Sequence, residues 1–314
     1  MNTTSIRKEI EDRNFAGRVF SVSPLSGGIV NGTWRVTAEK GEFVFQMIRD
    51  DLGGITAEDY LLLSHILRKS APIPVLIDYW SDKNGERRIF RFIPNDSPSV
   101  PSGTHAAIAA RHLGKTHEAL RGSSWRPSRT IPGFHETDRI FSRLSALTGR
   151  SNSGEADRLA ETILRESSRL LMPEYPEQLI HGDPKWKNFL FGHEAFPVFA
   201  RVTIIDWDTL MHGNPLIDLG DFCRSFCFKA GQFDTDAFAL ACANYWMEGQ
   251  PDTDTALQAT KIVTLELGAR YLIDWHEDSY FGWDQRRFAS RKESNIAAAR
   301  KYISYFQSIA ECSL

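Results

Sequence analysis

His181-Gly182-Asp183-Pro184-Lys185-Trp186-Lys187-Asn188, running into Phe189-Leu190-Phe191 and answered by Val202-Thr203-Ile204-Ile205-Asp206-Trp207-Asp208, decides the fold of this chain. Gln178-Leu179-Ile180 leads into it as a short apolar run. Phe189 to Phe191 reads as a strand and Val202 to Ile205 as its hairpin partner, which puts Asp206 at a strand end where the backbone fixes its direction. A lone His-Gly-Asp is commonly a turn whose Asp caps the next helix. The Asn that follows Asp183 at the fifth position, and the later Asp at a strand end, make the bare turn the poorer reading. Asp183 can accept the proton of an attacking hydroxyl. Asn188 and Asp206 offer hard oxygen ligands for magnesium, and Lys185 places a cation beside Asp183. Phosphoryl transfer from ATP needs these parts, and H-x-D-x-x-x-x-N followed by Asp is their spacing in kinase-like enzymes.

Upstream, the chain reads as strands with turns. Arg18 to Pro24 alternates, Ser26-Gly27-Gly28 follows, then Thr33 to Val36 and Glu42 to Ile48 around a turn at Glu39-Lys40-Gly41. Ala57 to Leu67 has helical periodicity and is stopped by Pro72-Ile73-Pro74. Val75 to Tyr79 and Arg88 to Ile93 form a strand pair around Asp82 to Gly85. The Pro- and Ser-rich segment Asn95 to Gly103 marks a hinge. Beyond it lie helices over Thr104 to Leu120, Asp138 to Leu147 and Ala156 to Leu171. Segregated strands and helices predict an α+β fold, a small sheet with one helix over residues 1–94 and a larger, mainly helical part over residues 95–314.

The net charge of −3 argues against a dedicated nucleic-acid binder, which needs clustered positive charge. The N-terminus MNTTSIRKEIEDRNF lacks the apolar core of a signal peptide, and no apolar run reaches the length of a membrane span. Of the four cysteines, Cys223 and Cys227 fall on one helix face as core thiols, and a cytoplasmic location is expected.

The sequence resembles the aminoglycoside phosphotransferase and choline kinase superfamily at the residues from His181 to Asp208, and within it is most similar to N-acetylhexosamine 1-kinases; the resemblance implies a bilobal, protein-kinase-like fold, with residues 1–94 as the nucleotide-binding lobe and residues 95–314 as the catalytic and substrate lobe. Four stretches carry the likeness: Ser26-Gly27-Gly28-Ile29-Val30-Asn31-Gly32-Thr33; Thr130 to Thr137; Ile205 to Met211 with Asp218-Leu219-Gly220-Asp221 and Arg224; and Ala269 to Asp274 with Asp278 to Phe281. The resemblance implies ATP and Mg2+ as cofactors, Asp183 as catalytic base, Lys185 on the transferred phosphoryl group, and Asn188 and Asp206 on the metal. Asp208 would assist the metal or order the loop. Gly27, Gly28, Asn31, Thr33 and Gln46 would meet the nucleotide. His181 would orient the loop, and Asp218 and Asp221 would hold backbone amides at a helix start. Two features depart from the common kinase pattern. Gln46 stands where a phosphate-binding lysine is usual, so Arg49 or Lys185 would supply the charge and Glu58 becomes a solvated helix residue. Ser26-Gly27-Gly28 is an incomplete G-x-G-x-x-G, by itself a hairpin turn.

Glu266, Arg270 and Asp274 share a helix face. They form either a salt-bridge ladder facing water or the polar rim of a sugar site, with the aromatics Tyr271, Trp275, Tyr280, Phe281 and Trp283 nearby. The resemblance favours Arg270, Asp274, Tyr280, His135 and Arg224 as acceptor-binding residues. The expected partner is a small-molecule acceptor, foremost a sugar such as an N-acetylhexosamine at its anomeric hydroxyl. Choline, homoserine or an aminoglycoside is the alternative within the class, and an inactive nucleotide-binding module the alternative outside it.

Overall fold

The computed structural model describes residues 3–25, 32–48, 53–83, 85–95, 97–150, 154–192 and 202–312. Helix α1 (Thr3–Asp12) precedes a five-stranded antiparallel sheet ordered β1-β2-β3-β5-β4, formed by β1 (Val19–Pro24), β2 (Gly32–Ala38), β3 (Gly41–Ile48), β4 (Leu76–Asp82) and β5 (Gly85–Arg91). Helix α2 (Ala57–Leu67) connects β3 to β4. Its start is fixed by a capping box in which Thr56 and Asp59 satisfy each other's backbone N–H. Side chains alternate across each strand. Phe43, Phe45 and Ile89 therefore pack on one face under Ile6 and Ile10 of α1, each such buried side chain contributing about 1.5–3 kcal/mol. Val44 and Phe90 point the other way, into a core shared with Tyr60, Leu63 and Leu67 of α2.

The remainder is mainly helical. It comprises α3 (Gly103–Leu120), α4 (Thr137–Leu147), α5 (Gly154–Ser167), α6 (Pro215–Phe226), α7 (Thr235–Asn244), α8 (Thr253–Glu277) and α9 (Arg291–Ala310). Between α5 and α6 lie β6 (Gln178–Ile180), β7 (Phe189–Phe191), β8 (Val202–Ile204) and β9 (Met211–Gly213), in two small antiparallel pairs, β6 with β9 and β7 with β8. A last hairpin, β10 (Phe228–Lys229) and β11 (Gln232–Phe233), precedes α7. One core joins α2 and Phe90 to α3, β7, β8, α6 and α7. A second lies among α4, α5, α8 and α9. Cys223 and Cys227 are buried in the first. No helix among the described residues is long and apolar enough to cross a membrane.

This is the expected α+β architecture, with an antiparallel N-terminal sheet and a larger helical part. Three local expectations change. Strand β5 begins at Gly85 rather than Arg88, because Glu86, Arg87 and Arg88 are buried, not solvated. Helix α5 stops at Ser167 instead of running to Leu171. The segment expected to be a hinge is tied down at Ser97, whose hydroxyl donates to Phe189 O (3.3 Å) and accepts from Phe191 N (3.1 Å).

Candidate active site

The loop from His181 to Asn188 links β6 to β7 and is held from beneath. Asp218, fully buried on α6, accepts the backbone N–H of His181 and of Gly182, each at 2.7 Å, and the Nε2–H of His117 at 2.9 Å. Burial alone would raise the Asp218 carboxyl, but His117, His181 and the Gly182 amide hold it below the usual carboxylate range. Asp218 therefore grips the loop, where the sequence suggested amides at a helix start. Gly182 has φ 86°, and a Cβ there would stand 2.5 Å from Thr209 O, so only glycine fits. His181 Nδ1 accepts from Asp183 N at 3.1 Å and its Nε2–H donates to Ile205 O at 2.9 Å. That pattern is the neutral tautomer, and burial lowers the His181 pKa accordingly.

Asp183 is thereby presented on a fixed backbone. Its Oδ2 takes an ion pair from Lys185 Nζ. Asn188 Nδ2 donates to Asp183 O at 2.8 Å and, more weakly, toward Oδ2 at 3.3 Å. Ile205 N donates to Asn188 O at 2.9 Å, tying the loop to the strand end that delivers Asp206. Asp206 adopts left-handed backbone, φ 67° and ψ 53°. The residue itself keeps solvent-exposed surface. Desolvation of its carboxyl, with Asp208 and Asp183 close by, pushes that group up to about 6 despite Lys185 and Asn188. Burial would lower the Lys185 ammonium, but Asp183 and Asp206 keep it above its ordinary value. An oxygen cluster this short of positive charge suits a divalent cation. Two protein ligands, with phosphate and water completing the shell, is the usual magnesium habit. Asp208 is engaged differently: its Oδ1 accepts Arg88 Nη1 at 2.7 Å.

The nucleotide-side expectations fall partly outside the described residues: Gly27, Gly28, Asn31 and Arg49 do. Thr33 and Gln46 are placed, directly opposite each other on β2 and β3. Glu58 is an exposed residue of α2, as expected, and it raises the Tyr79 hydroxyl through charge and a hydrogen bond.

On the other side of the loop, Arg224, Tyr271 and Tyr302 all sense the charge of Asp183. Arg224 donates from Nε (3.0 Å) and Nη2 (2.5 Å) to Asp221 Oδ1, and lies over the Tyr302 ring at 5.6 Å. Asp221 Oδ2 is buried without a protein partner. Tyr271 stacks on Phe281 at 3.9 Å. Arg270 lies over Phe134 at 4.4 Å and Tyr280 at 5.7 Å. The water-facing ladder is overturned. Glu266 is buried on His135 and Thr137, and Asp274 is buried on a loop. Asp274 Oδ1 accepts from Ser279 N and Tyr280 N, and its Oδ2 from Phe281 N and Asn295 Nδ2. It shapes the segment that carries Tyr280 and keeps no oxygen without a protein donor.

His135 is buried as well. Its Nδ1 lies 2.7 Å from Glu266 Oε1 and its Nε2 lies 2.6 Å from Gly182 O. Both neighbours are acceptors, so both nitrogens carry hydrogen and the ring is an imidazolium. Burial would push its pKa down, but Glu266 holds it above the usual histidine value. His135 therefore pins the catalytic loop. Sequence reasoning passed over Arg88 and Tyr302, the pairing of Glu266 with His135, and the task of Asp218. Only Tyr302, in the apolar periodicity of α9, left a local sign.

The sequence matches the phosphotransferase enzyme family over residues 21–258. Solved structures share the fold. Wild-type aminoglycoside 2'-phosphotransferase-IIIa, as its GDP complex, superposes with TM-score 0.69 at 14% identity, covering 96% of this chain and 99% of that one. Choline kinase LicA from Streptococcus pneumoniae gives 0.61 at 14% identity, over 96% and 98%. Spectinomycin phosphotransferase APH(9)-Ia, in complex with ADP and spectinomycin, gives 0.58 at 15%, over 99% and 98%.

Proposed function

This chain belongs to the phosphotransferase enzyme family and is a small-molecule kinase, and on that premise we propose that it moves the γ-phosphoryl of ATP to a sugar hydroxyl, the anomeric one of an N-acetylhexosamine. Residues 1–94 would form the nucleotide lobe and residues 95–314 the catalytic lobe, in the cytoplasm, where the four unpaired thiols are at home.

Asp183 Oδ2 accepts the proton of the acceptor hydroxyl as that oxygen bonds to the γ-phosphorus. The bond from the γ-phosphorus to the β–γ bridging oxygen breaks, and ADP leaves with that oxygen. Lys185, beside Asp183, balances charge on the phosphoryl oxygens in flight. Asn188 Oδ1 and Asp206 are the groups that would hold Mg2+, which supplies charge neutralisation of the phosphates when bound. The Asp218 anchor and the neutral His181 keep Asp183 aimed, so catalysis rests on positioning more than on movement.

The observation that carries the sugar reading is the Tyr271–Phe281 stack beside Arg224, within electrostatic reach of Asp183. Aromatic faces cover the apolar face of a pyranose, and the unpartnered Asp221 Oδ2 is an acceptor suited to a ligand hydroxyl or amide. A cationic acceptor fits less well. Arg224, Lys187 and Arg287 together lower the Lys301 ammonium, after desolvation, which marks a local surplus of positive charge. The acids Glu277 and Asp278 are paired with Arg143 and Arg291. The test is ADP release over a panel of N-acetylhexosamines, simple hexoses, choline, homoserine and aminoglycosides, with phosphorus NMR of any product. Turnover on an N-acetylhexosamine with an anomeric phosphate is expected; turnover confined to choline or to an aminoglycoside overturns the sugar reading.

A further inference from the structure

The cation missing at Gln46 has a counterpart one strand away. Antiparallel pairing sets Thr33, Gln46, Arg88 and Tyr79 opposite one another in a single row across β2, β3, β5 and β4, and residues in one such row share a face. Arg88 thus rises from the same side of the sheet as Gln46. It is 1% exposed and makes three contacts of different origin. Its Nε donates to Glu86 Oε1 at 2.5 Å, on its own strand. Its Nη2 donates to Ile55 O, just before α2. Its Nη1 donates to Asp208 Oδ1 at 2.7 Å, two residues beyond Asp206 and 120 positions along the chain. Glu86 is itself engaged, with Oε2 accepting Ala57 N at 3.2 Å at the first turn of α2. Gly54 packs on the same loop, where a Cβ would lie 2.9 Å from Asp208 O.

We propose that Arg88 is a positioning residue for the metal-binding loop: it fastens the sheet and the start of α2 to Asp208, and through Asp208 sets the direction of Asp206. Arg88 is enclosed by protein acceptors and so acts on the loop, not on the phosphates. The arrangement takes over the coupling of sheet to helix that a lysine at Gln46 with an acid on α2 would give. It moves that coupling one strand across and extends it to the catalytic loop. A guanidinium can do this because its planar fork serves three acceptors at once, which an ammonium on a flexible stem does less well.

The inference rests on the reading of Asp206 as a metal ligand, and one experiment separates the two. The full chain, Asp206→Asn, Arg88→Lys and the paired Glu86→Gln/Arg88→Gln are compared for folding by thermal unfolding and for ADP affinity in EDTA. The Mg2+ concentration that half-saturates the ADP complex is then measured for each. The paired variant removes Arg88 together with the buried Glu86, so that only Asp208, the more exposed of its two acidic partners, loses the guanidinium. Both Arg88 variants are expected to fold, to keep ADP affinity in EDTA, and to need about 10- to 100-fold more Mg2+, as loss of a ligand's supporting partner does. A normal Mg2+ response in Asp206→Asn removes the metal reading. An altered response there with a normal one in the Arg88 variants overturns the role of Arg88. So does a loss of ADP affinity in EDTA as large as the Mg2+ effect, or the failure of both Arg88 variants to fold.

Discussion

Asp183 is held by two neighbours of opposite use: Lys185 draws on its carboxylate and Asn188 fixes the backbone beneath it. Asp183→Asn keeps the shape and removes the proposed proton acceptor. It is expected to lower kcat by about two to four orders of magnitude, the usual worth of a positioned general base, while ATP affinity in a binding assay stays the same; near-normal kcat would remove Asp183 from that role. His135 offers a second test. Its folded pKa lies above the ordinary 6.5, so its stabilising contribution is complete below that value and fades as pH rises through the folded pKa. The melting-temperature advantage of the native chain over His135→Gln should therefore be largest in mild acid and shrink in alkali. An advantage that grows with pH would mean that the ring is neutral in the fold. These residues differ in how far the sequence exposed them. Asp183, Asn188 and Asp206 lie within one short loop and hairpin, so local spacing alone proposes them as a group. Arg88 answers to Asp208 and His135 to Glu266, partners so distant in the chain that no local spacing reveals the pairing.

Among the elements, α6 does more than pack. Asn214 caps it and Pro215 stands in its first turn, which starts the helix sharply, and Asp218 in that buried first turn meets the His181 and Gly182 amides. Phe222 and Phe226, one turn apart, stack at 4.1 Å and meet Phe189 edge-on, so the same helix wedges β7. Asp218→Asn puts an NH2 against one backbone N–H and leaves that donor without an acceptor. It should cost at least about 2 kcal/mol in denaturant unfolding and lower kcat with KM for ATP little changed; equal stability would mean that the loop holds itself. The helices and strands were largely legible, because hydrophobic periodicity is local. The start of β5 was not, since buried Glu86, Arg87 and Arg88 break the apolar pattern that marks a strand. The water-facing ladder on α8 failed for the same reason: the spacing of Glu266, Arg270 and Asp274 fixed their common face but not the side of the helix on which the core lay.

Across the whole molecule the sheet and the helical part are not independent bodies. Ile55, Tyr60, Leu63, Leu67 and Phe90 belong to the same apolar cluster as Leu113, Leu120, Phe189 and Phe222, and Arg88 adds a polar tie between them. Calorimetry should therefore record one unfolding transition, with the van't Hoff enthalpy matching the calorimetric one. Two resolved transitions, one assignable to residues 1–94, would show that the junction is weaker than its packing indicates. Asp206 carries a different lesson. It holds a left-handed backbone that disfavours most side chains, and its carboxyl is raised from 3.8 to about 6 by its surroundings. Its ionised form therefore opposes folding above about pH 6 in the absence of metal, and that opposition vanishes as pH falls toward 4. In EDTA, Asp206→Asn should melt higher than the native chain at neutral pH and no higher near pH 4; equal melting at neutral pH would refute this. A library of this protein sorted by heat resistance alone would thus enrich for loss of the Asp206 carboxylate, the proposed metal ligand, and a sort run with Mg2+ and nucleotide present should select in the opposite direction.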